Sequence, residues 1–156
     1  PFLWGDVLLP PQFTKESDLS LRGKLTIPGG VMSRKITMVP QENTWLVEDS
    51  FRSVADVTAV RQIEVCWQFA PECRIEQLGE REFRVVRGSG CAIRVVPGAS
   101  WKEVECFAPP QYEQFHNAPE DLTGLCSPSF RTLQRGPRLV LRGAFSKKHT
   151  TKITGE

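Results

Sequence analysis

From Leu19 onward, apolar side chains recur at every second position over most of the chain, the spacing of a β-strand with one face turned inward. In Leu19-Ser20-Leu21-Arg22-Gly23-Lys24-Leu25-Thr26-Ile27 the odd positions are apolar or Gly and the even ones polar. This predicts a half-buried strand that turns at Pro28-Gly29-Gly30 and returns over 31–39 as a hairpin. Pro40-Gln41-Glu42-Asn43 is the next punctuation, before a strand over 44–51. The longest predicted strand, 57–69, puts Val57, Ala59, Ile63, Val65, Trp67 and Phe69 on one face, and Val60-Arg61 breaks its alternation at an expected bulge. Short strands follow over 73–77, 82–87, 91–96 and 101–107, separated by Gly79-Glu80, Gly88-Ser89-Gly90 and Pro97-Gly98-Ala99.

Between 108 and 128 the alternation fails, with Pro at 109, 110, 119 and 128, so a long irregular loop is expected there, of the kind that carries a site or packs across a sheet. Strand pattern returns over 138–145 and 149–154, and a single helical turn is expected near 53–56. Residues 1–18, rich in Pro and apolar side chains, read as a linker or packing arm from a preceding domain, and 19–156 as one domain. The opening on Pro1 reads as the start of a piece excised from a longer chain. Strands at this spacing imply an all-β fold, an antiparallel β-sandwich of about 10–12 short strands.

A chain of 156 residues with 40% hydrophobic content can build one self-sufficient core. It has no apolar run of the length, about 18 residues, that a membrane-spanning helix needs, so no membrane partner is expected. Cys66, Cys73, Cys91, Cys106 and Cys126 are odd in number and lack C-x-x-C spacing, and only His116 and His149 add imidazole. The cysteines therefore read as small buried hydrophobes on strands, and no metal or other cofactor is expected. Gly88-Ser89-Gly90 lacks the third Gly and the helix of a phosphate loop, and neither G-x-S-x-G nor H-E-x-x-H occurs. Tyr112 and His116, four residues apart in the irregular segment, are the one pair placed to move a proton. Chance supplies such pairs often, so no catalytic residue is assigned and the chain by itself is not expected to be catalytic. His149, after Lys147-Lys148, reads as an exposed residue on a basic turn. Trp67 reads as core, and Trp45 and Trp101 as core more readily than as exposed sugar-stacking rings.

Charge changes the picture. Residues 1–121 hold 13 Lys or Arg against 17 Asp or Glu, whereas 122–156 hold 7 against 1. The net +2 therefore hides an asymmetric chain, and its basic end is suited to a polyanion. Arg138 and Arg142 would sit about 13 Å apart on the solvent face of one strand, at roughly 3.3 Å per residue, as a ladder for carboxylates or sulfates. Arg131, Arg138, Arg142, Lys147 and Lys148 are the candidate anion-binding residues. Nucleic acid is disfavoured, because Phe130 and Phe145 offer little aromatic interleaving and the pI is near 8.5.

The hairpin Arg34-Lys35-Ile36-Thr37-Met38-Val39, a break, and Trp45-Leu46-Val47-Glu48-Asp49-Ser50-Phe51 resembles one in the C-terminal region of heparinase II/III-like polysaccharide lyases. There an "R-x-hydrophobic" strand is followed by "hydrophobic-hydrophobic-x-D-x-hydrophobic". Trp67-Gln68-Phe69-Ala70-Pro71 is similar to the end of that family's next strand, and Gly124-Leu125-Cys126-Ser127-Pro128-Ser129-Phe130 to its late G-W-x-S-x-x-Y turn, with Leu125 for Trp and Phe130 for Tyr. The resemblance covers about 19–154. It implies the non-catalytic C-terminal β-sandwich module of an enzyme that breaks uronic-acid glycans by β-elimination, bracing an upstream catalytic α/α-toroid domain of the same polypeptide. An acidic polysaccharide is then a candidate ligand. The family's catalytic Tyr, Glu and His and its metal-associated segments have no counterpart here, and no catalytic residue is carried over. The alternative is a free-standing interaction domain whose basic face meets a protein or nucleic acid.

Overall fold

In the computed structural model the period-two segments form strands that hydrogen bonding sorts into packed antiparallel layers, an all-β sandwich. The structure describes residues 11–27, 30–53, 62–88, 90–108, 114–115, 125–129, 132–145 and 147–156. The large sheet begins with β1 (Gln12–Ser17), β2 (Ser20–Ile27), β3 (Gly30–Val39) and β4 (Thr44–Ser53), a meander of adjacent strands. It continues through β6 (Cys73–Gly79), β7 (Glu82–Arg87) and β8 (Ala92–Pro97), and β14 (His149–Gly155) is inserted between β4 and β8 to join the two halves. The second layer is β5 (Gln62–Gln68), β13 (Arg138–Ala144) and β9 (Trp101–Phe107), with β13 in the middle.

Two outcomes differ from the sequence reading. Residues 12–17 of the expected arm are the edge strand of the large sheet, paired with β2 from Gln12↔Lys24 to Ser17↔Ser20, so this stretch belongs to the sandwich. The segment 108–128, expected as a loop, contains β10 (Gln114–Phe115) and the start of β11 (Leu125–Ser129); with β12 (Thr132–Arg135) these form a small third sheet. The helical turn near 53–56 and the bulge at 60–61 lie outside the described residues, apart from Ser53, which ends β4.

The core lies where the three-stranded layer covers the β14–β8–β7–β6 half of the large sheet. Phe83 and Val85 of β7, Val95 of β8 and Leu139 of β13 are buried together, with Trp67, Ile75, Ile93, Val104 and Ile153 packed around them. A second cluster, Val65, Trp101 and Leu141, reaches Met32 of β3. Of the four cysteines whose side chains are described, all free, Cys73 and Cys106 pack against the core, and burial pushes both thiols above their ordinary pKa. Cys66 and Cys91 are exposed, against the expectation of burial.

Asn43 fixes the junction of the chain's end with its first half. It takes the left-handed conformation after the 3-10 turn Pro40–Glu42, at φ 47°, which Asn tolerates better than most residues. Its Nδ2 donates to the Gly155 carbonyl at 3.2 Å, and the Gly155 N–H donates to the Asn43 carbonyl at 2.9 Å.

Candidate functional site

Among the described residues, the basic side chains singled out in the sequence do not converge. Arg142 lies on the outer face of β13, where register puts Glu64 of β5 and Glu103 of β9 opposite it. Its Nε donates to Glu64 at 2.8 Å and its Nη1 to Glu105 at 3.0 Å, with Glu103 at 3.7 Å. Glu64 first, and then Glu105, raise the guanidinium pKa above its ordinary value. Arg138, on the same face, lies over the ring of Phe107 at 4.8 Å, and its buried Nε has no hydrogen-bond partner among the described residues. Lys148 pairs with Glu48 of the large sheet, Lys147 is exposed in the turn before β14, and Arg131 lies outside the described residues. The outer face of β5–β13–β9 thus carries Glu64, Glu103 and Glu105 against Arg138 and Arg142, and is not a cationic ladder.

Polar groups do converge in the interior. Arg34 and Asp49 face each other across β3 and β4 and form a bidentate pair, Nε to Oδ1 at 2.7 Å and Nη2 to Oδ2 at 3.1 Å. The Asp49 carboxylate is fully buried, and the guanidinium lies 4.8 Å from the centre of the Trp67 ring on the opposing layer. These are the Arg and the Asp of the hairpin resemblance, and here they clamp the two strands together and meet the second layer. Removing one partner of such a buried pair costs about 3–5 kcal/mol because the other is left uncompensated.

His149 is the next residue in this row, opposite Asp49 in register, and it is fully buried, not exposed on a turn. A basic neighbourhood in sequence misled here, because β14 enters the interior one residue after Lys148. Its Nε2 lies 2.8 Å from the Ala144 carbonyl, which only accepts, so the proton sits on Nε2, and Nδ1 is left without a partner among the described residues. The ring stacks on Trp101 at 4.2 Å and 22°. Gly143 makes room for it, since an added Cβ would overlap the imidazole. The Trp101 indole N–H donates to the Thr150 carbonyl at 3.1 Å and lies 3.2 Å from the Thr151 hydroxyl.

Two surface concavities lined by described residues lie on the β1–β4 wing. The one on its inner face, about 300 Å³, lies between the β1–β2 turn and β4 and is lined by Leu19, Leu21, Ile36, Met38 and Trp45, with Lys15 and Asp18 at the rim. Phe13, Leu19 and Leu21 are 69%, 46% and 43% exposed. The other, about 240 Å³, is on the outer face of β2–β4, lined by Arg22, Lys24, Val31, Ser33, Ser50, Phe51 and Arg52. Beside it Glu16 is held by both Arg22 and Lys35, at 2.9 Å from the latter, which lowers its pKa to about 2, the Arg22 hydrogen bond being the larger cause.

Tyr112 and His116 lie outside the described residues. Among the described residues no three His, Cys, Asp or Glu side chains are grouped so as to hold a metal ion. No protein-family model, curated protein or solved structure matches the chain. What the sequence reading missed was the wing's outer basic concavity, whose cations are spaced along β2 and β4 inside the half that is acidic on balance. Alternation over 19–27 did place Arg22 and Lys24 among the polar positions, which was the available signal, whereas the strand expected over 44–51 stopped short of Arg52.

Proposed function

We propose that the chain is a non-catalytic β-sandwich module of the heparinase II/III-like kind, bracing a catalytic domain of the same polypeptide through the inner face of its β1–β4 wing. The observation that carries this reading is the apolar surface left uncovered there: Phe13, Leu19, Leu21 and Ile36 are exposed side by side on paired strands and lead into the concavity at Met38 and Trp45. Contiguous exposed apolar surface of this kind marks a protein contact. Further along β3 and β4, Arg34 and Asp49 tie the strands together, so the wing meets a partner with its backbone already set. The Arg34-to-Asp49 hairpin is also where the resemblance to the lyase module is densest.

The test is association in trans between the whole chain and the remainder of its parent polypeptide. Leu21→Asp with Ile36→Asp is expected to abolish co-elution while circular dichroism and the melting temperature stay near those of the parent sequence. Equal association by the double variant overturns the reading. So does sedimentation of the chain alone as a dimer that the same substitutions dissociate, since the face would then belong to a second copy.

A further inference from the structure

At the end away from the wing, the eight-stranded sheet stops at β6, which among the described residues pairs with β7 alone. The N–H and C=O groups of β6 that do not face β7 therefore form an open edge. Its side chains alternate. Ile75 lies opposite Val85 and packs against the core cluster of Phe83, Val85, Val95 and Leu139, as does Cys73, whereas Arg74 and Glu76 occupy the outer face between them. Arg74 is exposed and has no carboxylate partner among the described residues. Glu76 accepts from Arg84 through Oε2 at 3.3 Å, and its Oε1 has no partner among the described residues. The opposite edge, β1, is exposed along its whole length and carries no core residue at its rim.

We propose that two copies of the chain join β6 to β6 in antiparallel pairing about a two-fold axis at Ile75, merging their large sheets into one. An axis perpendicular to the sheet keeps inner residues opposite inner ones, so the register follows from which residue sits on it. With Ile75 there, Arg74 of each copy lies opposite Glu76 of the other, and both ion pairs form on the outer face. On the inner face the two Ile75 side chains meet, which carries the core of one sandwich into the next. Placing Arg74 or Glu76 on the axis instead sets like charges directly opposite, which is destabilising. An open edge accepts any extended segment, but this strand complements itself, and that singles out a second copy. Strands this short bury less than the roughly 1,200 Å² of a standard stable interface, so the dimer is expected to be reversible and concentration-dependent. The wing lies at the far end of the sheet, so this pairing stands or falls independently of the bracing role.

The test is sedimentation equilibrium of the whole chain over a concentration series, with a monomer–dimer equilibrium as the expected result. Arg74→Glu and Glu76→Arg are each expected to weaken the dimer about tenfold, because each replaces two attractive contacts across the axis by two repulsive ones. An equimolar mixture of these two variants is expected to dimerise again, since every opposed pair is then of unlike charge. That rescue separates the pairing from misfolding, which mixing does not repair. Leu21→Asp with Ile36→Asp is expected to leave the dimer intact. A chain that stays monomeric at every concentration overturns the pairing and leaves the bracing test as it stands. A dimer that neither charge variant weakens, or a mixture that associates no better than its components, also overturns the pairing. A dimer that only Leu21→Asp with Ile36→Asp dissociates overturns both readings.

Discussion

The two halves of the eight-stranded sheet share one hydrophobic alternation and differ in what it buries. In β7 and β8 the inward residues Phe83, Val85 and Val95 are covered by β5, β13 and β9. In β1 and β2 the equivalent side chains, Phe13 and Leu21, face solvent. Alternation states which side chains share a face; it does not state whether another layer lies over that face. The covered half therefore supplies the sandwich its stability, and the open wing offers it surfaces.

The comparison can be broken most sharply at the seam between the halves. Arg34→Met leaves the buried Asp49 carboxylate unpaired and is expected to cost about 3–5 kcal/mol in chemical denaturation. Asp49→Asn should cost less, because the Arg34 side chain is about one-third exposed and water can serve it. Equal losses would mean that the pair is not what joins β3 to β4.

Within the covered half, Leu139→Ala is expected to cost about 2–5 kcal/mol, whereas Leu21→Ala in the wing should stay within about 0.5 kcal/mol of the parent. A large loss at Leu21 would mean that the wing is covered in solution. Gly143→Ala, which forces a methyl group into the His149 ring, should cost about 1–3 kcal/mol, read as a lowered melting temperature.

The smallest expected effect is a pH dependence confined to the wing. Glu16 titrates at about 2 in the folded chain against an ordinary 4.5. Its contribution is therefore complete above pH 4.5 and fades as pH falls towards 2. Faster amide exchange in β1 below about pH 3, absent from the pH profile of Glu16→Gln, would show it. A Glu16 carboxyl resonance that titrates near 4.5 would remove it.

The outer faces teach the same lesson in charge. Summed along the chain, cations concentrate in 122–156, yet β-pairing brings Glu64, Glu103 and Glu105 around Arg142 and Glu48 to Lys148. At the far edge of the sheet Glu156 bridges Arg84 and Arg94, whose other donors reach Glu76 and Glu82. Lys24 and Arg52, which have no carboxylate partner among the described residues, lie on β2 and β4, in the half whose sum is negative. Linear charge counts neighbours in the chain, whereas electrostatics depends on neighbours in space, which cross-strand pairing reassigns.

Most of the strands were legible in advance. Those beginning near Glu82, Trp101, Arg138 and His149 fall within a residue or two of the predicted bounds, because alternation and Gly or Pro turns are local properties of the chain. β1 was not foreseen, since Gln12–Ser17 is exposed along its whole length and an edge strand with no buried face shows no apolar alternation. His149 and Asp49 were not read as partners in one buried row, because their registry depends on β14 inserting beside β4, exactly one hundred residues apart in the chain. The amino-acid sequence by itself determined, for the alternating segments, that they extend and which of their side chains share a face, through short-range sterics and burial. Only tertiary structure decided which faces are covered and which cations are neutralised, because both depend on strands distant in sequence that no local pattern specifies.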